Sequence, residues 1–228
     1  MNNPLVSIIL PVKNGEKFLS LALESVLEQE YRLIEIVVVD GHSGDRSVEI
    51  AQSYPLVRLL SQSGQGLANA WNEGIDAAKG EFIAFLSHDD QWARNKLRLQ
   101  VRYLMDHPEI QFTNSWFKFF LHPGCSIPAG FRKELLEHYQ VSRLLETLVT
   151  RKSIFALVGK FDSQFAIAHD IDWFARVNDH GISTAFVPEV LLYKGIHDAN
   201  TSMNITVNNQ NLLQALRQSI HRKRQQEK

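Results

Sequence analysis

An α/β architecture, with an open and mostly parallel sheet flanked by helices, is expected from three features of the 228-residue sequence. Short β-branched runs keep almost unbroken apolar character, as strands buried on both faces do. Between them, apolar residues recur at i, i+3, i+4 and i+7, the stripe of a helix packed on a sheet. Polar and acidic residues follow the first, second and fourth of these runs, and ligands of open α/β sheets bind beyond that end of the strands.

The elements follow in order. Val6 to Leu10 and Ile34 to Val39 read as strands, and Leu19, Ala22, Leu23 and Val26 form the helical stripe between them. This is a βαβ unit, whose crossover is right-handed. Val57 to Leu60 is a short third strand. Leu67, Ala70, Trp71, Gly74, Ile75 and Ala78 mark a helix closed by the cation and glycine of Lys79-Gly80. Phe82 to Leu86 is a fourth buried strand, followed by a helix carrying Leu97, Val101 and Leu104. Past Pro108 the pattern weakens: Ile110 to Leu121 is compatible with a strand, and the two prolines and two glycines of 122–130 make a loop. A helix starts near Ile171 and ends near Gly181, and two strands, Thr184 to Val187 and Val190 to Tyr193, flank Pro188-Glu189. Residues 1–205 form one expected domain, and 206–228 a C-terminal helix with a basic tail.

Composition narrows the function. Hydrophobic residues make up 44% and charged residues 21% of the chain, enough for a sizeable core. A net charge of -1 provides no field to recruit nucleic acid. The single cysteine, Cys125, excludes an internal disulfide and fits a reducing compartment. The apolar run Leu5 to Val12 is too short to span a bilayer and has no cationic segment before it, so the cytoplasm is the expected location.

At the carboxyl ends of the strands stand Pro11-Val12-Lys13-Asn14, Asp40-Gly41-His42-Ser43-Gly44-Asp45 and Ser87-His88-Asp89-Asp90. Neither G-x-G-x-x-G nor G-x-x-x-x-G-K follows the first strand, so a nucleotide here needs another way to neutralise its phosphates. A divalent metal held by acidic residues is the direct route. These segments resemble family 2 glycosyltransferases. Val6 to Asn14 looks like their first strand and P-x-x-N turn, and Val37 to Asp45 resembles V-V-D-D-x-S-x-D. Gly66-Leu67-Ala68, Asn72-Glu73-Gly74 and Gly80 to Asp90 are similar to the stretch ending in the acidic metal motif. Val158 to Asp162 resembles G-x-F-D, and Ala168-His169-Asp170-Ile171-Asp172-Trp173 the later acidic signature. The likeness spans roughly residues 5–203 and implies the GT-A fold, with a small antiparallel extension to the sheet.

The resemblance implies residue roles, each with a plainer alternative. Asp40, with Pro11, Val12 and Asn14, would hold the nucleotide base, and Ser43, Gly66 and Asn72 would line the same pocket; an N-cap is the alternative for Asp40 and for Asp45. Asp89 and Asp90 would hold Mg²⁺ or Mn²⁺, relieving the repulsion of adjacent carboxylates, although Asp90 also suits a cap for the helix near Arg94. Ser87 replaces the first acid of D-x-D, and Ser87 and His88 would touch ribose or phosphate. Asp170 would be the base of an inverting transfer, its alternative again a cap, with His169 where an acid is usual. Asp172 and Trp173 would face acceptor or sugar, or else be structural. His197 would meet the metal or diphosphate, imidazole suiting Mn²⁺. His42, His88, His107 and His122 read as solvent or outer residues, Trp71 as core, and Arg151-Lys152 as a site for the donor diphosphate or an anionic acceptor, or as plain surface.

The expected activity is transfer of a sugar from a nucleotide-sugar donor, with uridine diphosphate as carrier, to a glycan, lipid-linked or peptide acceptor. A homodimer or partner protein would complete the acceptor side, and His221-Arg222-Lys223-Arg224 would touch an anionic membrane or simply suit the helix dipole. Two rivals stand beside it. A nucleotidyltransferase usually carries a glycine-rich basic loop after the first strand, where Lys13 is the only cation. A nucleotide-sugar binder without turnover would follow if Ser87 abolished productive metal binding.

Overall fold

The structure, a computed structural model, describes residues 3–165, 168–198, 200, 214, 217, 219 and 222. Its four most apolar runs form β1 (Val6–Val12), β2 (Ile34–Asp40), β3 (Val57–Ser61) and β4 (Phe82–Phe85), all parallel to their neighbours in the order β3-β2-β1-β4. Alternation within β1 sends Ile8 and Leu10 to one face and Ile9 to the other. The first face is covered by α1 (Leu19–Leu27), α2 (Ser47–Gln52) and α4 (Lys96–Asp106), through Leu23, Val26, Ala51, Leu97 and Val101. The second is covered by α3 (Leu67–Ala77), through Trp71 and Ile75, and by α5 (Ile154–Val158) and α6 (His169–Asp179). The sheet is thus doubly wound, and α1 buries the four residues of its expected stripe.

The second half extends the sheet antiparallel to β4. β8 (Val149–Arg151) pairs antiparallel with β4 and with β6 (Phe112–Leu121), which runs parallel to β9 (Thr184–Ile196). β5 (Gln91–Trp92) and β7 (Tyr139–Gln140) add short antiparallel pairings to β9 and β6. The two strands expected around Pro188-Glu189 are one continuous β9, its register against β6 broken between Val187 and Val190. A proline fits a strand at such an irregularity, where no ladder donor is required of it.

Two expectations change. Lys79-Gly80 does not cap α3, because Ala78 is already extended at φ -63°, ψ 133°. Gly80 is needed for contact instead: a Cβ there would stand 2.6 Å from Ser7 Oγ and 2.7 Å from the Leu5 carbonyl. Arg151 and Lys152 are structural. The Arg151 guanidinium donates to the carbonyls of Ile110 at 3.1 Å and Leu104 at 2.6 Å, and the Lys152 ammonium to that of Ala78 at 2.5 Å.

Of the expected C-terminal helix, Gln214, Arg217, Ser219 and Arg222 are described and helical, and the rest, with most of the basic run, lies outside the described residues. Arg222 donates to Asp179 at 2.9 Å and reaches Asp172 at 3.4 Å, so its own side chain is tied to α6. No helix among the described residues is long and apolar enough to cross a membrane.

Candidate active site

The cleft begins where β1 and β2 end in register, Val12 opposite Asp40. The buried Asp40 carboxylate accepts the Ser43 N–H at 3.2 and 3.3 Å, closing a tight turn of the kind aspartate favours. Asn14 and His42 adopt left-handed backbone, at φ 53° and 60°. The Asn14 N–H donates to Ser43 Oγ at 2.9 Å, and Asn14 Oδ1 accepts the Gly44 N–H at 2.8 Å. The Gly15 N–H donates to Ser47 Oγ at 2.8 Å. The two loops are therefore one unit. Asp45 accepts the N–H and Oγ–H of Ser47 at 3.0 and 2.5 Å, one residue before Arg46, the N-cap of α2.

This unit abuts the loop after β4. Gly15 lies so near His88 that a Cβ would be 2.6 Å from the imidazole Cδ2. The next residue, Asp89, has its Oδ2 at 3.0 Å from His197 Nε2 and accepts the Asn200 side-chain N–H at 3.3 Å. Burial opposes ionisation of Asp89, but the His197 hydrogen bond and the positive potential of His88 and Lys194 hold its carboxyl far below the usual range. The Phe18 ring lies between His122, at 4.1 Å, and His197, at 4.7 Å. His122 Nε2 is 2.8 Å from the Asp89 carbonyl, which can only accept, so the proton sits on Nε2. Gly195 makes this packing possible, since a Cβ would be 2.1 Å from that carbonyl oxygen and 2.4 Å from His122 Nε2.

Asp90 does not join Asp89 as a metal ligand. It is 1% exposed, and its oxygens accept the Gly195 N–H at 2.8 Å and the Lys194 ammonium at 3.0 Å, which corrects the paired-ligand expectation. Nor does it cap α4, whose N-cap is Asn95. Lys194 also lies 3.4 Å from Glu146 Oε1, and that oxygen accepts the Ser87 hydroxyl at 2.6 Å. Burial alone would lower the Lys194 ammonium, but the carboxylates of Asp90 and Glu146 raise it well above its ordinary range. Asp170, in the first turn of α6, is pushed up to about 6 by burial and by the negative charge of Glu146. Neighbouring His169 is pushed down to about 4 by burial, so it stays neutral at pH 7.

Three expected site residues are occupied elsewhere. Trp173 is fully buried, stacks on Phe155 at 5.4 Å and donates its indole N–H to the Gly159 carbonyl, leaving no face for a sugar. Asp172 is 1% exposed and paired with Arg176 at 2.8 Å. Asn72 spends its amide on the backbone of Phe161, accepting at 3.0 Å and donating at 2.8 Å. Gly66 serves as the N-cap of α3 at φ 84°, which explains the glycine. Glu146, Lys194, Gly195, His122 and Asn200 are the additions. Lys194, Gly195 and Asn200 flank His197 in the sequence, whereas Glu146 belongs to no motif.

Among the described residues, no three His, Cys, Asp or Glu side chains converge as a ready-made metal cluster. A carboxylate and an imidazole 3.0 Å apart would nonetheless suit a divalent ion such as Mn²⁺, with a diphosphate and water to fill the rest of its coordination. An open groove lined by Pro4, Tyr31, Arg98 and Met105 lies at the opposite, amino end of the sheet. Its Arg98 and Arg102 are paired with Glu30 and Asp106, so it offers no comparable chemistry.

Residues 7–154 match the family described as Glycosyl transferase family 2. An uncharacterized glycosyltransferase of Rickettsia typhi is 34% identical over 221 residues, covering 88% of this chain and 66% of its own length. Another, from Haemophilus influenzae, is 38% identical over 164 residues, covering 68% and 65%. The chain thus spans about two thirds of the length of these relatives. Among solved structures, S. aureus TarS 1-349 in complex with UDP-GlcNAc superposes with a TM-score of 0.76 at 18% identity, over 95% of this chain and 66% of that one. The mannosyltransferase PcManGT of Pyrobaculum calidifontis, in complex with GDP-Man and Mn²⁺, gives 0.70 at 21% identity, over 97% and 65%. At that identity the likeness is one of fold, and that fold is GT-A. With the family match covering well over half of its length, the chain belongs to glycosyl transferase family 2.

Proposed function

We propose that this chain transfers a sugar from a nucleoside diphosphate donor, with uridine as the base, to an acceptor hydroxyl, inverting the anomeric centre. The observation that carries the reading is Asp170, a buried carboxylate pushed up to about 6 and within the electrostatic reach of Lys194, whose charge also acts on Asp89. A base with that proton affinity is largely ionised at neutral pH and still strong enough to take a hydroxyl proton. The acceptor O–H proton goes to the Asp170 carboxylate while the acceptor oxygen bonds to the anomeric carbon, and the bond from that carbon to the diphosphate oxygen breaks. Approach from the face opposite the leaving group inverts the centre.

Asp40, Pro11, Val12 and Asn14 form the base-binding end in this reading, with Ser43 locking the turn. Asp89 and His197 would hold a divalent ion. When bound, that ion supplies positive charge to the departing diphosphate. TarS, solved with UDP-GlcNAc, and PcManGT, solved with GDP-Man and Mn²⁺, support the donor class by analogy of fold. A cytosolic setting, with residues 206–228 as a separate helical segment, completes the proposal.

The specific alternative is a binder without turnover, favoured by Ser87 in the acidic motif. Hydrolysis of UDP-GlcNAc and related UDP-sugars, with and without Mn²⁺, separates the two. Turnover that disappears in Asp170→Asn supports the transferase. Binding of UDP with no turnover of any donor supports the binder and overturns the proposal.

A further inference from the structure

Ser87 offers the cleft only a neutral oxygen, yet it does not act alone. Its hydroxyl donates to Glu146 Oε1 at 2.6 Å, across 59 residues of sequence. The Glu146 side chain is 13% exposed, and the same oxygen lies 3.4 Å from the Lys194 ammonium. The turn that presents it, Leu145–Thr147, is held by buried polar groups. The Trp92 indole N–H donates to the Glu146 carbonyl at 3.1 Å. The side-chain nitrogen of fully buried Lys96 and the amide of fully buried Gln100 donate to the Thr147 carbonyl at 3.0 and 2.9 Å, and Asn114 donates to Thr147 Oγ1 at 2.8 Å.

Burying a lysine and two amides is costly unless their donors find partners, and here each donates to this turn. Here that construction fixes one carboxylate against the serine of the acidic motif. Lys194 is shared between Asp90, at 3.0 Å, and Glu146, at 3.4 Å, so it is not dedicated to the Glu146 carboxylate.

We propose that Glu146 is a positioning residue that supplies the charge Ser87 lacks. By accepting the hydroxyl proton in a hydrogen bond, it turns the Ser87 lone pairs toward the cleft and makes them more basic, so that the cleft binds a divalent cation together with a nucleoside diphosphate. The logic is that of a carboxylate behind a metal-bound imidazole, which orients the ligand and strengthens it. In this reading Glu146 acts through Ser87, whose hydroxyl its Oε1 accepts. The inference rests on the donor site proposed above.

The test is calorimetric titration of the whole chain with UDP, in the presence and absence of Mn²⁺. In the native chain Mn²⁺ tightens UDP binding. Glu146→Gln keeps the acceptor and loses the charge, and the Mn²⁺-dependent gain falls about 10- to 100-fold, the range for lost outer partners of metal ligands. Returning the charge one position away, in Ser87→Asp with Glu146→Gln, restores the gain, which a purely structural role for Glu146 would not allow. Ser87→Ala loses the gain to a similar extent, and adding Glu146→Gln costs nothing further, because the two act as one unit. Ser87→Ala also keeps the inference testable if Glu146→Gln fails to fold. An unchanged Mn²⁺ gain in Glu146→Gln or Ser87→Ala overturns the inference, as does a double variant no better than Glu146→Gln. A native chain that binds UDP equally with and without Mn²⁺ overturns it too but leaves the donor reading intact, whereas one that does not bind UDP at all overturns both.

Discussion

Replacing Asp170 by asparagine should stabilise the protein while removing its activity, and the two effects have one origin. The Asp170 carboxyl lies at about 6 rather than at its ordinary 3.8. At about 1.4 kcal/mol per pH unit, that difference sets about 3 kcal/mol against the ionised form in the folded state. The sign follows from where the proton is bound. Below 3.8 both folded and unfolded chains hold it, and there is no penalty. Between 3.8 and about 6 only the folded chain holds it, so stability falls as pH rises. Above about 6 the penalty is complete. Asp170→Asn therefore gains little at pH 3 and most at neutral pH, with 3 kcal/mol as a ceiling and about 2–4 °C in Tm for each kcal/mol realised in a chain of this size.

Two measurements check this. Melting curves of native and Asp170→Asn protein at acid and neutral pH should show a Tm gap that opens with pH in favour of the variant. Initial rates should show an acid limb near pH 6, so that about one tenth of the plateau rate remains at pH 5, and the variant should lose about 10²- to 10⁴-fold in kcat. A variant that melts no higher than the native chain at neutral pH, or an acid limb near pH 4, would refute the strained-base account.

Other perturbations probe the frame around that base. Gly195→Ala places a Cβ 2.1 Å from the Asp89 carbonyl and should cost about 1–3 kcal/mol by overpacking, read as a lower denaturant midpoint, together with weaker Mn²⁺-dependent UDP binding. Lys194→Met strands Asp90 and Glu146 without their shared cation; removing one partner of such a buried group costs about 3–5 kcal/mol, measurable in urea. Arg222→Ala leaves Asp179, whose side chain is 1% exposed, without that guanidinium and should lower Tm through the α6 end of the fold. His197→Ala should abolish the Mn²⁺ effect on UDP binding and leave Tm within a few degrees.

The alternating half of the fold was legible because each apolar run had one job. Ile8, Ile9 and Leu10 are buried on two faces, and continuous apolar character reports that directly. Punctuation was read less well. Gly80 looked like a helix stop, but a glycine is also required where two backbones touch, and the sequence does not distinguish the reasons. Trp173 could have been read correctly: with Phe174 and Val177 it forms the apolar stripe of α6, and a tryptophan on that stripe belongs to the core before it belongs to a sugar.

The limits are plainest at the acidic motif. Adjacent aspartates announce two charges without saying which way each points. Here Asp89 turns to His197 and Asp90 turns inward to Lys194 and the Gly195 amide, so one carboxylate faces the cleft and the other builds its wall. Read as a string, the motif has lost an acid at Ser87. In three dimensions a carboxylate stands at that hydroxyl, delivered by a turn far along the chain. Charge in a binding cleft is a property of position, and any segment that reaches the position can supply it. A motif with a missing acid therefore argues against metal use only until the space around the gap has been inspected. In this chain that space holds Glu146, on a turn tied to buried Lys96 and Gln100.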